Sequence, residues 1–151
     1  MGLTLGFDGK TRALTVNTGS TVSTISTLYI GLLQSAPAGM DGMTLSTLVS
    51  GAQGNEFTVS GSFYVGRQAI TLGSISTDST GAICYNNNGS PIEWLNSTGS
   101  TILVPAFFIT NVSSGTSGSV LWVGTPDAGT ATIEDTKKAS ISANDLMLKV
   151  D

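Results

Sequence analysis

Ile83-Cys84-Tyr85-Asn86-Asn87-Asn88-Gly89-Ser90-Pro91-Ile92-Glu93-Trp94 is the stretch that decides the fold class. Two short apolar runs flank an Asn-Gly pair, and a type I′ turn needs positive φ at both central residues. The stretch therefore predicts a β-hairpin turning at Asn88-Gly89, with Ile92 and Trp94 inward and Glu93 outward. The same grammar extends in both directions. Leu3, Leu5 and Phe7 alternate, as do Leu14 and Val16, and Leu28, Ile30 and Leu32. Phe57 and Val59, Phe63 and Val65, and Ile70 and Leu72 follow. After the central stretch come apolar runs at 102–109 and 120–123, and a period-2 ending at Leu146, Leu148 and Val150. Asp8-Gly9, Asn17-Thr18-Gly19, Ser114-Gly115 and Asp127-Ala128-Gly129 punctuate them as turns. Strand plus turn recurs at roughly ten residues, the spacing of a sandwich or jelly roll. Residues 43–49 are the one segment that reads as a short helix. The expectation is an all-β, single-domain β-sandwich of jelly-roll type with about eight to ten strands and little helix.

Charge is scarce. Of 151 residues only 11% are charged, the net charge is −4, and histidine is absent, whereas about 25% charge is usual. Gly, Ser and Thr together supply 60 positions. Mean hydropathy of +0.24 with so small a net charge excludes a disordered chain. Six Lys plus Arg cannot make a phosphate-binding surface, so nucleic acid is not an expected partner. Lys137-Lys138 directly follows Glu134-Asp135 and reads as a solvated strand end or turn. Cys84 is the only cysteine, so no disulfide forms within the chain, and its apolar frame marks a small buried hydrophobe. The first residues carry no basic, apolar leader pattern. The longest uncharged stretch, 94–126, is cut by Asn96, Pro105 and Asn111 and is no membrane span. A soluble protein made in a cytoplasm is expected, with no membrane partner.

Catalytic templates fail one by one. Without histidine, Ser-His-Asp, Cys-His and zinc chemistry lose their usual base and ligand. Glu93 is the nearest approach to a catalytic carboxylate, and it reads as an outward strand residue. Asp78-Ser79-Thr80-Gly81 lacks the alternating oxygen ligands of a calcium loop and is a turn. Asn88, Asn96 and Asn111 begin glycan-acceptor patterns that so Ser/Thr-rich a chain matches by chance. No enzyme, cofactor or metal site is expected.

Three features can serve binding. Asn86, Asn87 and Asn88 at a hairpin tip can present amides to a sugar or a protein, against a plain turn. Trp94 and Trp122 can anchor an interface or stack on a sugar. Leu121 and Val123 place Trp122 in the core, and the polar loop beside Trp94 makes it the more open of the two. Arg67, one of two arginines, stands in a strand-like frame. It reads first as a structural arginine bridging strands through its fork of donors, and second as a partner contact.

The order of segments carries a resemblance. Thr27-Leu28-Tyr29-Ile30-Gly31-Leu32-Leu33 with Ser35-Ala36-Pro37, then Tyr64-Val65-Gly66-Arg67-Gln68-Ala69-Ile70-Thr71-Leu72-Gly73, resembles a family of small tailed-phage virion proteins labelled head decoration or tail fibre. The paired blocks 109–112 and 117–124, and Ala143-Asn144-Asp145-Leu146 near the end, are similar to that family's later blocks. Tyr29, Tyr64, Arg67, Gln68 and Ala69 are the family-like positions. The usual His-Thr after the first block is Leu33-Gln34 here. The resemblance implies a β-sandwich at 27–151; residues 1–26 depart from the family, whose members often start with a helical segment, and read as an N-terminal β arm packing on the domain or on a neighbouring subunit. It implies a virion structural protein: a capsid cement or decoration protein on the capsid surface, bound to the major capsid protein, as a homotrimer. The alternative it leaves is a tail-fibre, spike or baseplate component that binds host carbohydrate or links tail parts.

Overall fold

The computed structural model describes residues 2–5, 9, 25, 27–39, 43–77, 83–87 and 89–150, with backbone alone at 2–5, 74–77, 83–86, 147 and 149–150. Short apolar runs between turn residues make its strands. In chain order these are β1 (Gly2–Leu5), β2 (Leu28–Leu33), β3 (Gln68–Ile70), β4 (Leu72–Thr77), β5 (Ile83–Asn87) and β6 (Ile92–Leu95). Then come β7 (Ile102–Val104), β8 (Ala106–Thr110), β9 (Val120–Thr125), β10 (Ala131–Ile133), β11 (Lys138–Ile141) and β12 (Met147–Val150). A short helix, α1 (Leu45–Val49), lies where residues 43–49 predict it. The chain is all-β.

Every strand pair among the described residues is antiparallel, and the second half of the chain is one long hairpin. β8 pairs with β9 at its tip, followed by β7 with β10, β6 with β11 and β5 with β12. This nested order is that of a rolled-up ribbon, as in jelly rolls. β2 adds beside β8 and β1 beside β9, giving a five-stranded sheet in the order β1-β9-β8-β2-β3.

The expected hairpin at Asn88-Gly89 does not form. β5 pairs with β12 and β4, while β6 pairs with β11. Gly89 has the positive φ, 106°, that its place in the sequence suggests. Yet the chain passes through it from one ribbon segment into the next. Long-range partners win over the local turn because they resume in register. Asn86 faces Met147 and Ile92 faces Ile141, an equal advance on both sides of the break.

Two buried asparagines close the breaks in this ribbon. Asn87, 2% exposed, donates its backbone N–H to Leu146 O at 3.0 Å and its side-chain N–H to Ser142 O at 2.9 Å. It accepts from Leu146 N at 2.8 Å through Oδ1 and from Asn144 N at 2.8 Å through its carbonyl. Asn96, 0% exposed, stands between β6 and β7. Its Nδ2 donates to Ser100 O at 2.7 Å and Ile133 O at 2.9 Å, and its Oδ1 accepts from Thr98 N at 3.1 Å and Thr98 Oγ1 at 2.7 Å. Where the ladder stops, these amides satisfy backbone groups that burial would otherwise penalise.

The five-stranded sheet is covered on both faces, which is why β8 is buried at every position instead of alternating. Leu32, Phe107 and Ile109 meet Trp94, Ile133 and Ile141 of the ribbon on one side. Leu33, Phe108 and Val123 meet Met43, Leu45 and Leu48 on the other. α1 starts on a capping box, Thr47 N donating to Thr44 Oγ1 at 3.2 Å and Thr44 N to Thr47 Oγ1 at 3.1 Å. Leu45 and Leu48, three apart, then share the face that packs on the sheet. Each contributes about 1.5–3 kcal/mol by burial.

Two expectations change. Twelve strands are described where about eight to ten were expected, because Pro105 divides the run 102–109 into β7 and β8, and the short β10 and β11 lie where no alternating run stands out. Residues 57–65 form no strand: Phe63 and Tyr64 are buried while Val59 and Val65 stay exposed, within a turn closed by Ser60 N donating to Tyr64 O at 2.7 Å. Of the arm at 1–26, Gly2–Leu5 pairs with β9 of its own sheet, and nearly all the rest lies outside the described residues, as do Asp78-Ser79-Thr80-Gly81 and Asn88.

Candidate functional site

Among the described residues, charge is buried at one place. Arg67 is 8% exposed and precedes β3. Its Nε and Nη2 donate to Glu56 Oε1 and Oε2 at 2.9 and 2.8 Å, a bidentate pair. Nη1 donates to Val112 O at 3.3 Å and Nη2 also to Gly115 O at 2.8 Å. The guanidinium carbon lies 5.1 Å from the centroid of the Phe108 ring. Tyr64 adds a third arm, its hydroxyl donating to Glu56 Oε1 at 2.6 Å.

The surroundings hold this lock in place. Tyr64 stacks on Trp94 with centroids 6.3 Å apart, and Trp94 Nε1 donates to Gly66 O at 3.0 Å. Gly31 of β2 leaves the room: a Cβ there would stand 2.5 Å from Phe108 Cε1 and 2.8 Å from the Tyr64 hydroxyl. Arg67 thus ties the segment after α1, the five-stranded sheet and the loop at 111–119 to one another. That loop is held a second time, by Ser119 N donating to Asn111 Oδ1 at 2.7 Å. Its tip exposes Ser113, Ser114, Thr116 and Ser117. What Arg67 builds is a positioned, uncharged loop.

Burial pushes the Tyr64 hydroxyl far above its ordinary value of 10.0, and the hydrogen bond to Glu56 and that carboxylate's charge add to the rise, against a smaller opposing effect of Arg67. A raised folded value means that the stabilisation is complete below pH 10.0 and is lost as pH rises beyond it, where only the unfolded chain gives up this proton. Denaturant titrations should show the wild type losing about 1.4 kcal/mol per pH unit more than Tyr64→Phe above that point. Equal slopes would mean that Tyr64 ionises within the fold.

The sequence-derived candidates fall in different places. Arg67 is the bridging arginine of its first reading; it is 8% exposed, and all three of its nitrogens donate within the fold. Trp94 was expected to be the more open tryptophan, and it is 1% exposed while Trp122 is half-buried. The reason is alternation: Glu93 faces out toward Lys138 Nζ at 2.6 Å, so Trp94 faces in. Asn87 is a buried ladder closure and not a tip amide; Asn86 is described by its backbone in β5 alone. Of the family-like positions, Tyr29 pairs with Ala69 and Ile30 with Gln68 across β2 and β3. Tyr64 and Arg67 meet on Glu56. Asn96, which begins a glycan-acceptor pattern, is wholly inside.

Glu56 and Asn96 escaped the sequence reading. A signal for Glu56 existed: it is the only acid between Asp41 and Asp78, and a buried arginine requires a carboxylate. Among the described residues, no three His, Cys, Asp or Glu side chains gather as a metal site, and no helix is long and apolar enough to cross a membrane. No protein-family model matches the chain, and no curated protein matches it.

Proposed function

We propose that the chain is a structural protein of a tailed-phage particle, a capsid cement or decoration protein that binds the outside of the assembled major capsid lattice as a homotrimer. One observation carries the reading: the string with the strongest virion-protein resemblance, Tyr64 through Gly73, supplies the buried lock that positions an uncharged surface loop. Serine, threonine and glycine cost far less desolvation than charged side chains when another subunit covers them. They also lose little rotamer entropy. A protein that binds only the assembled lattice stabilises it by mass action.

Purified chain added to undecorated heads should raise their melting temperature in a saturable way. No bound density together with no shift contradicts the proposal. The carbohydrate reading draws less support, since Trp94 and Asn87, its intended stacking platform and amide, are inside the fold.

A further inference from the structure

The two ribbon segments β10/β7 and β11/β6 are hydrogen-bonded within themselves and not to each other. A recess of about 390 Å³ at Ser35 and Gln53, lined mostly by alanine and glycine, lies away from them. The space between the ribbon and the five-stranded sheet is instead about 270 Å³. Leu32 and Phe107 wall it from the sheet, and Trp94, Val104, Ile133 and Ile141 from the ribbon. An engineered core cavity of about 150 Å³ with aliphatic and aromatic walls stays dry and binds benzene. This one is larger, and it opens beside Pro126 and Lys138.

The polar groups at its wall are already engaged. Trp94 Nε1 donates to Gly66 O at 3.0 Å, Lys138 Nζ is paired with Glu93 Oε2 at 2.6 Å, and Ser140 Oγ reaches Glu93 Oε1 at 3.5 Å. An anion would reach Lys138 Nζ only beside the like-charged Glu93 carboxylate, and a ligand with a strong donor or acceptor would lose its water without replacement. We infer that this inter-sheet cavity is a binding site for a small, uncharged, apolar molecule larger than benzene, of the size and shape of a two-ring aromatic hydrocarbon. The inference is independent of any place in a virion.

The probe is naphthalene, with decanoate as the anionic comparison, and the reporter is Trp94 fluorescence in a Trp122→Phe protein that keeps Trp94 as its only tryptophan. Naphthalene should change Trp94 emission saturably and raise Tm, and decanoate should bind at least about tenfold more weakly. Ala139→Phe, and separately Ala131→Leu on the other ribbon segment, should fill the space and abolish both effects while the protein still melts cooperatively. Absence of a saturable change in the Trp122→Phe protein overturns the inference. So does undiminished naphthalene binding in whichever filled variant folds, or tighter binding of decanoate.

Discussion

Arg67→Ala is expected to lower stability by about 3–5 kcal/mol, the cost of breaking a buried ion pair by removing one partner. In a chain of this length that is a fall in Tm on the order of 10 °C. The loss has identifiable parts. Glu56 keeps its charge with only the Tyr64 hydroxyl beside it, the carbonyls of Val112 and Gly115 lose their donor, and the contact with the Phe108 ring goes. Removing both charges separates them, since an apolar pair of similar volume can be neutral or better. Arg67→Met with Glu56→Leu should therefore recover much of the stability that Arg67→Met alone loses. Deuterium exchange through 111–119 should remain fast in that double variant, because no guanidinium grips the loop. Urea melts of the three variants give the stability cycle, and mass-resolved exchange gives the loop. If the double variant melts no higher than Arg67→Met alone, the bad consequence of the single change is not an uncompensated carboxylate. If Arg67→Ala costs less than 1 kcal/mol, the arginine does not hold the fold together.

Asn96→Leu should cost about 3 kcal/mol or more, although leucine has the same branched heavy-atom skeleton as asparagine and improves the apolar balance of a fully buried site. The reason is what remains behind. The Ile133 carbonyl would lose its partner in a buried place, at about 1–3 kcal/mol, while the Ser100 carbonyl and the Thr98 amide lose theirs at the exposed edge of the break. The larger leucine also has to be fitted into a filled site, at about 1–3 kcal/mol more. The effect should be local as well as global. Residues 96–100 and 133–137 should exchange sooner than β8 and β9, since Asn96 N to Lys137 O and Thr136 N to Asn96 O, at 2.8 and 2.7 Å, hold the two sides of the same break. A neutral Asn96→Leu, measured by thermal and urea unfolding, would mean that water enters the junction.

How much of this could be read beforehand follows from the range of each interaction. Alternation at Leu28, Ile30 and Leu32, or at Ile92, Glu93 and Trp94, is a local signal, and it correctly marked strands and the outward Glu93. The short helix was legible for the same reason, its caps and its leucines lying within one turn of each other. Pairing was not. Asn88-Gly89 carries a strong hairpin signal, and nothing near it announces that β5 and β6 each have a partner more than 40 residues away. Tertiary pairing overrode a local turn preference. The asparagines at the breaks look like any loop residue, because what distinguishes them is the backbone they meet across the ribbon. Trp94 was misjudged from its polar neighbours, where the period-2 rule at Glu93 already placed it inside. The Arg67 lock was half legible: an arginine in an apolar frame is a structural arginine, but its carboxylate comes from a loop that follows the helix.

The central proposal is that this charge-poor sandwich, with a buried ion pair fixing a neutral loop, is made to be covered by a lattice of other subunits. A cryo-EM map of the particle that carries the chain tests it most directly. The account predicts sandwich-shaped density on the outer face of the capsid, in threes around local three-fold positions, with major capsid protein in contact. Density for the chain in the tail, or a complete particle that does not contain it, would contradict the claim.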